Sequence, residues 1–357
     1  MENIIFDRYD LDTYMRPYWR GNVMVNESVL FVGETDCVPL LYTPKKILSV
    51  RSCELDVEYE EGRDYVVENG KLRRTEDSRM SYISESLYYP AEKTEEIGAM
   101  KGRFPEKPWL YFGEKDTFFK RQIFVTYTHE GAWEDKIPTG QAEKFPKTLA
   151  RLENGEDTNV VFFGDSITTG CNCSHWMDRA PHMESWPEMT VSALRRTYPT
   201  ANINYVNTAV GGKKTAWAIE TAEERVAAYN PHLVILAFGM NDTRMPAEDH
   251  AALLTQLVET VKEKCPDAEI ALISTTLPNE EAEGFWSEQH RFEEVYEDTL
   301  LQRFPNLPIV PMGSMHKALL KKKRFCHMTG NNINHPNDFL ARVYAHSLFK
   351  TLTGKEF

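Results

Sequence analysis

Four short blocks of the chain hold the residue types that acyl transfer needs. Gly164-Asp165-Ser166-Ile167-Thr168-Thr169-Gly170 offers a hydroxyl, and Asn207-Thr208-Ala209-Val210-Gly211-Gly212 ends in paired glycines. Gly239-Met240-Asn241-Asp242 offers an amide beside a carboxylate, and Asn332-Ile333-Asn334-His335-Pro336-Asn337-Asp338 places an imidazole near the C-terminus. A serine hydroxyl is a weak nucleophile until a base takes its proton, and His335 is of the type to do so. Attack on a carbonyl makes a tetrahedral oxyanion, which needs hydrogen-bond donors already in place. The backbone N–H of Ser166, the N–H of Gly212 and the side-chain amide of Asn241 are the natural suppliers. Gly212 also lacks a Cβ, which lets the backbone approach a substrate. Ser166 alone would suit a helix cap equally well. Its concurrence with the other three blocks favours the nucleophile. Asp242 is read as structural.

Such blocks act together only if regular elements bring them to one edge. From Asn159 onward, apolar runs alternate with longer amphipathic stretches. The runs are Val160–Phe163, Ile203–Val206, Leu233–Phe238, Ile270–Ser274 and Pro308–Pro311. Continuous apolar strands suit a parallel sheet buried on both faces. Ala218–Tyr229 and Ala251–Lys264 carry apolar residues at i, i+3 and i+4, and Phe339–Leu352 reads as a closing helix. Alternation of this kind predicts a doubly wound α/β domain over 159–357, with ligands beyond the carboxyl ends of the strands. Each of the first three blocks follows a predicted strand, and the fourth precedes the last helix.

Residues 1–130 have another texture. Short Val-, Ile-, Tyr-, Phe- and Thr-rich runs occur at Asn22–Val25, Ser28–Val32, Lys46–Val50 and Gln122–Thr128, with turn pairs at Glu61-Gly62 and Asn69-Gly70. This pattern predicts an all-β sandwich, jelly-roll-like in form. A polar stretch, 131–158, with Pro138, Gly140, Pro146 and Gly155, reads as a linker in which Lys147–Leu152 can make one or two helical turns.

The four blocks, in this order, resemble the SGNH (GDSL-type) hydrolase superfamily, whose four letters fall on Ser166, Gly212, Asn241 and His335. The resemblance covers Asn159 to the C-terminus. It implies a flavodoxin-like fold and a metal-free serine esterase. A β-sandwich ahead of such a domain resembles two-domain carbohydrate acetylesterases. One position departs from the pattern: the family usually has Asp three residues before the histidine, and this chain has Asn332. A carboxylate there fixes the tautomer and stabilises the imidazolium, whereas an amide only orients the ring. The expectation is a Ser166–His335 core that Asn332 at most orients. A backbone carbonyl behind the histidine, or an acid recruited from Asp338 or Asp242, are the alternatives.

The bulk properties narrow the function classes. The chain has 357 residues, with 41% hydrophobic, 11% aromatic and 27% charged residues, which suits a globular protein of two domains. Its net charge of −13 leaves no surplus cation to displace counterions from nucleic acid. No apolar stretch is long enough for a bilayer span. The first residues show no signal-peptide pattern, and the six cysteines form no disulfide framework, so a cytoplasmic, reduced protein is expected. Cys171, Cys173, His175, Cys326 and His327 lack the paired spacing of a structural zinc site, and no metal or cofactor is expected. Trp176 and Arg179, with Met177, His182 and Trp186 nearby, are candidates to stack on or bind a sugar, or else to fill the core of a long loop. Lys321-Lys322-Lys323-Arg324 reads as a solvated face. The expected partner is a small-molecule or oligosaccharide acyl ester, with no nucleic acid and no membrane, and a homo-oligomer is allowed. The leading function is removal of acetyl or another short acyl group, with an O-acyltransferase or a non-catalytic carbohydrate-binding protein as alternatives.

Overall fold

The computed structural model describes residues 4–94 and 98–357. Among the described residues, eight strands precede residue 130: β1 (Val23–Leu30), β2 (Cys37–Pro39), β3 (Pro44–Ser52), β4 (Tyr65–Glu68), β5 (Lys71–Arg74), β6 (Ala99–Phe104), β7 (Lys107–Tyr111) and β8 (Gln122–His129). They pair antiparallel as β1-β8-β3, β2-β5-β4 and β6-β7. The runs Asn22–Val25 and Ser28–Val32 are largely one strand, irregular in register between Met24 and Glu27, where Asn26 turns to a φ of 44°. Such a bulge bends a strand without ending it. Asn69 and Gly70 both have positive φ, 52° and 74°, which is the geometry a tight two-residue hairpin needs to join β4 to β5.

The second half carries β9 (Thr158–Gly164), β10 (Ile203–Asn207), β11 (Leu233–Ala237), β12 (Glu269–Ile273) and β13 (Ile309–Val310). All pair parallel in the order β10-β9-β11-β12-β13. Counted within this half the order is 2-1-3-4-5, the flavodoxin-like doubly wound arrangement. The predicted strands and helices fall in these places. Alternate residues of each strand feed opposite faces. Val160, Phe162, Leu233 and Ile235 pack with the helices Trp186–Thr197 and Asp338–Thr353. Val161, Phe163, Val234 and Leu236 pack with Thr215–Arg225 and Ala247–Lys264. Truncating fully buried Phe162 to alanine is expected to cost about 3–5 kcal/mol.

The first of these cores does not stop at the α/β half. It runs on through Val29, Phe31, Val125 and Tyr127 of β1 and β8. Polar ties reinforce it: Arg342 donates to the Val25 carbonyl at 2.9 Å and Asn337 Nδ2 to Ser28 Oγ at 3.0 Å. The stretch expected to be a linker packs too. Phe145 and Leu152 are buried, and the helix Pro146–Glu153 starts on the Glu269 carboxylate, which accepts from the Lys147 and Thr148 amides.

In the basic run 321–324, Lys321 and Lys322 are exposed as expected, but Lys323 and Arg324 correct the reading of a solvated face. Lys323 is fully buried against Glu27 and the Ser28 carbonyl, and Arg324 pairs with Asp36 at 2.8 Å. A buried lysine needs such a carboxylate to offset its lost hydration. Lys323 and Arg324 therefore join the two halves. Among the described residues no helix is long and apolar enough to cross a membrane.

Candidate active site

Ser166 lies just past the end of β9, at the point where the strand order reverses between β9 and its neighbours β10 and β11. A Cβ on Gly164 would stand 2.1 Å from Thr168 Oγ1 and 2.7 Å from the Ala237 carbonyl, so the tight turn into Ser166 requires glycine. Asp165 Oδ1 accepts from the Ile167 amide at 2.9 Å. Trp186 Nε1 donates to the Ile167 carbonyl at 2.9 Å from a fully buried position. Trp186 thus holds the nucleophile turn from behind and is no sugar platform.

His335 comes from the loop before the last helix. Asn331 Oδ1 accepts from the amides of Ile333, Asn334 and His335 at 3.0–3.1 Å, and Thr329 Oγ1 donates to the His335 carbonyl at 2.8 Å. These bonds aim the ring. His335 Nε2 meets Ser166 Oγ at 2.8 Å, with both residues buried. Its Nδ1 meets Asn172 Oδ1 at 2.5 Å, and Glu114 Oε2 stands 3.2 Å away. Both groups behind Nδ1 present oxygen acceptors, so the proton of the neutral ring belongs on Nδ1. That leaves the Nε2 lone pair facing the Ser166 hydroxyl, the tautomer a general base needs.

Asn332 is not behind the ring. Its Oδ1 accepts from Tyr88 Oη at 3.0 Å, its Nδ2 donates to the Tyr111 carbonyl at 3.1 Å, and its own carbonyl accepts from Asn279 at 2.9 Å. With a φ of 69° it turns the loop away from His335 and toward the β-rich half. The recruited acids considered from sequence are committed elsewhere as well. Asp242 accepts from the amide and hydroxyl of Thr215, at the start of that residue's helix, and Asp338 accepts from the Ser174 amide at 2.8 Å.

Asn172 and Glu114 fill the space instead. Asn172 sits in the loop after the nucleophile at a φ of 64° and is fully buried. A Cβ on Gly330 would lie 2.6 Å from Asn172 Cβ, so that glycine gives the loop its room. Glu114 comes from the segment between β7 and β8. Neither carries a sequence signal. Asn172 is an ordinary loop residue between two cysteines, and Glu114 sits in the charged stretch Glu114-Lys115-Asp116, far from the family blocks.

A model of the GDSL-like lipase/acylhydrolase family matches residues 162–341, half of the chain, and that match contains the four blocks. The chain belongs to the GDSL-like lipase/acylhydrolase family. No curated protein matches it in sequence. Among solved structures, this GDSL-like hydrolase is similar to a two-domain esterase active on acetylated mannans, at 23% identity and a TM-score of 0.48 over 59% of this chain. The matched part spans 52% of that esterase, about half its length. It is also similar to a variant of an acetyl xylan esterase from Geobacillus stearothermophilus, at 20% identity and a TM-score of 0.44 over 56% of this chain and 96% of the other.

The remaining site residues of the hydrolase take these places. Gly212 has a φ of 75°, and a Cβ there would meet nothing within 4 Å. Its conformation favours glycine, and the open space around it leaves room for a substrate to approach the backbone. A Cβ on the neighbouring Gly211 would lie 3.7 Å from Ser166 Cβ, an ordinary contact. Among the described residues, the amides of Ser166 and Gly212 have no backbone acceptor. Asn241 Nδ2 donates to Asp165 Oδ2 at 3.3 Å and to the Lys213 carbonyl at 3.1 Å. Burial pushes the Asp165 carboxyl up to about 7. Trp176 is half exposed and lines a cavity of about 230 Å³ with His175, Glu188, Tyr205 and Asn207. Arg179 is turned toward Asp116 and Glu54, so it braces the segment that carries Glu114. All six cysteines are free, and among the described residues no group of three or more His, Cys, Asp or Glu is arranged to hold a metal.

Proposed function

We propose that the protein is a serine esterase that removes acetyl or other short acyl groups from a carbohydrate through an acyl-enzyme on Ser166. The observation that carries this reading is the 2.8 Å contact of Ser166 Oγ with a His335 ring whose other nitrogen faces oxygen acceptors. In the first half-reaction His335 Nε2 takes the hydroxyl proton as Oγ bonds to the ester carbon, and the carbonyl oxygen becomes an oxyanion. The Ser166 and Gly212 amides receive it, and Asn241 joins them by giving up its long bond to Asp165. The imidazolium then returns its proton to the leaving sugar oxygen as the C–O bond breaks. Water completes the cycle in reverse: His335 Nε2 takes its proton as the water oxygen bonds to the acyl carbon, the imidazolium returns that proton to Ser166 Oγ as the Oγ–acyl bond breaks, and the carboxylic acid departs.

The carbohydrate part rests on the half-exposed Trp176 beside the nucleophile loop, since an aromatic face near a nucleophile offers a sugar ring a stacking surface. The experiment is acetate release from acetylated oligosaccharides, compared with hydrolysis of long-chain lipid esters, together with fluorophosphonate labelling of Ser166. Labelling and acetate release are expected. A preference for long acyl chains would remove the substrate class, and an unlabelled Ser166 would remove the mechanism.

A further inference from the structure

We infer that Glu114, delivered by the β-rich half, is the anionic positioning residue behind His335. The inference rests on the hydrolytic reading of Ser166 and His335 and names the group that supplies charge to it. A neutral amide such as Asn172 can orient the ring, but the imidazolium formed during attack also needs an anion close by. Glu114 Oε2 lies 3.2 Å from Nδ1, near enough to share its N–H with Asn172 and to stabilise the cation through direct charge attraction.

The carboxylate is held in place. Asn331 Nδ2 donates to Glu114 Oε1 at 3.3 Å, and Asn331 is the residue whose Oδ1 fixes the His335 backbone. Two residues on, Asp116 is gripped by Arg179 from the nucleophile loop and by Lys120 at 2.7 Å. The segment carrying Glu114 is thus pinned to both loops of the site. Burial pushes the Glu114 carboxyl up, but the contacts with His335 and Asn331 outweigh it, and the net shift is downward. Glu114 is therefore an anion at neutral pH.

The titratable groups around the ring are few. Asp165, on the nucleophile block, acts on His335 through charge, but its oxygens are taken by Ile167 and Asn241. Cys171 lies near both Glu114 and Asp165, and burial pushes its thiol up, so it stays neutral. Arg179 and Lys120 are spent on Asp116.

The test uses the full-length protein and a chromogenic acetyl ester, with kcat and KM followed across pH for the wild type, Glu114→Gln and Glu114→Asp. Neutralising the buried acid of a Ser-His-Asp triad costs about 10⁴-fold in kcat. Glu114 is 45% exposed and Asn172 still holds the ring, so Glu114→Gln is expected to lose about 10–100-fold in kcat with KM nearly unchanged. The acid limb of the kcat/KM profile should move to lower pH, because an imidazolium without its anion gives up its proton more readily. Glu114→Asp should recover part of the loss. Wild-type kcat and an unmoved acid limb in Glu114→Gln would overturn the inference. NMR titration of the His335 ring in the two proteins reads the same charge coupling without turnover, and an identical titration would also overturn it. Failure of Ser166 to label in the wild type would sink the hydrolytic reading instead, so the two failures are distinct.

Discussion

On its Nε2 side His335 meets Ser166 within loops that hang from the parallel sheet and are buried. On its Nδ1 side it meets buried Asn172 and also Glu114, whose side chain is 45% exposed on a segment of the β-rich half. The contrast separates two requirements. The atoms that make and break bonds must be held by a rigid element at a fixed strand end, and the sheet does that. The charge that biases the imidazole acts through space, so a surface segment of a different half can bring it. Asn332, which occupies the sequence position of the usual acid, then has another use as a joint between halves.

The largest effect expected on this comparison is at the reacting atoms. Ser166→Ala and His335→Ala should each lower kcat by about 10⁶-fold, and the double variant should be no worse than either, because the two act as a unit. Steady-state rates on the acetyl ester check this, and additive losses would break the pairing. Next come the groups behind Nδ1. Asn172→Ala should lower kcat by about 10–100-fold through loss of the ring's tautomer and aim, as expected when a triad's third member is replaced in part. Asn332→Ala should do the opposite, with kcat nearly unchanged and stability lowered by about 1–3 kcal/mol as Tyr88 and the Tyr111 carbonyl lose their buried partner. Chemical denaturation and kinetics on the same samples separate the two, and a large kcat loss in Asn332→Ala would return that residue to the machinery.

Arg179→Ala should act more weakly still, costing a few-fold in kcat by loosening Asp116 and hence Glu114. Its effect on stability should be near zero, since half-exposed ion pairs contribute about 0–1 kcal/mol. The effect should vanish in a Glu114→Gln background, and a double-mutant cycle measures that. A further expected effect is on pH-dependent stability. Burial raises the carboxyls of Asp165 to about 7 and Asp338 to about 6, against roughly 3.9 unfolded. Between those limits the native state holds protons that the unfolded chain has released. These two groups therefore stabilise the fold fully below about pH 4, and their contribution is lost as pH rises toward 7. Asp338→Asn, which keeps an oxygen for the Ser174 amide, should flatten part of that slope in thermal melts.

Much of this was legible in the residues. The apolar runs at 160, 203, 233, 270 and 308 mark all five parallel strands, because strands buried on both faces have no polar alternation to confuse with anything else. The nucleophile and base blocks stand out because strand-end loops must carry unusual residue types at tight spacing. Glu114 was illegible for the converse reason: one exposed glutamate in a charged loop looks like any other until the fold brings it to a histidine. Trp186, left open between a sugar surface and a loop core, is interior, and Lys323 misled in the same way. Indole and ammonium groups are read as surface features by type, and only the Ile167 carbonyl and the Glu27 carboxylate reveal them as interior.

The core that runs from β1 and β8 into the last helix, closed by Lys323 and Glu27, has a consequence for how the molecule comes apart. Two units joined by a loose tether would melt in two steps and survive separation by a protease. Here the same side chains are counted in both halves, so neither can open alone without exposing the other's interior. Calorimetry should therefore show one cooperative transition, with esterase activity and tertiary signal vanishing at the same temperature, and limited proteolysis should yield no long-lived C-terminal fragment.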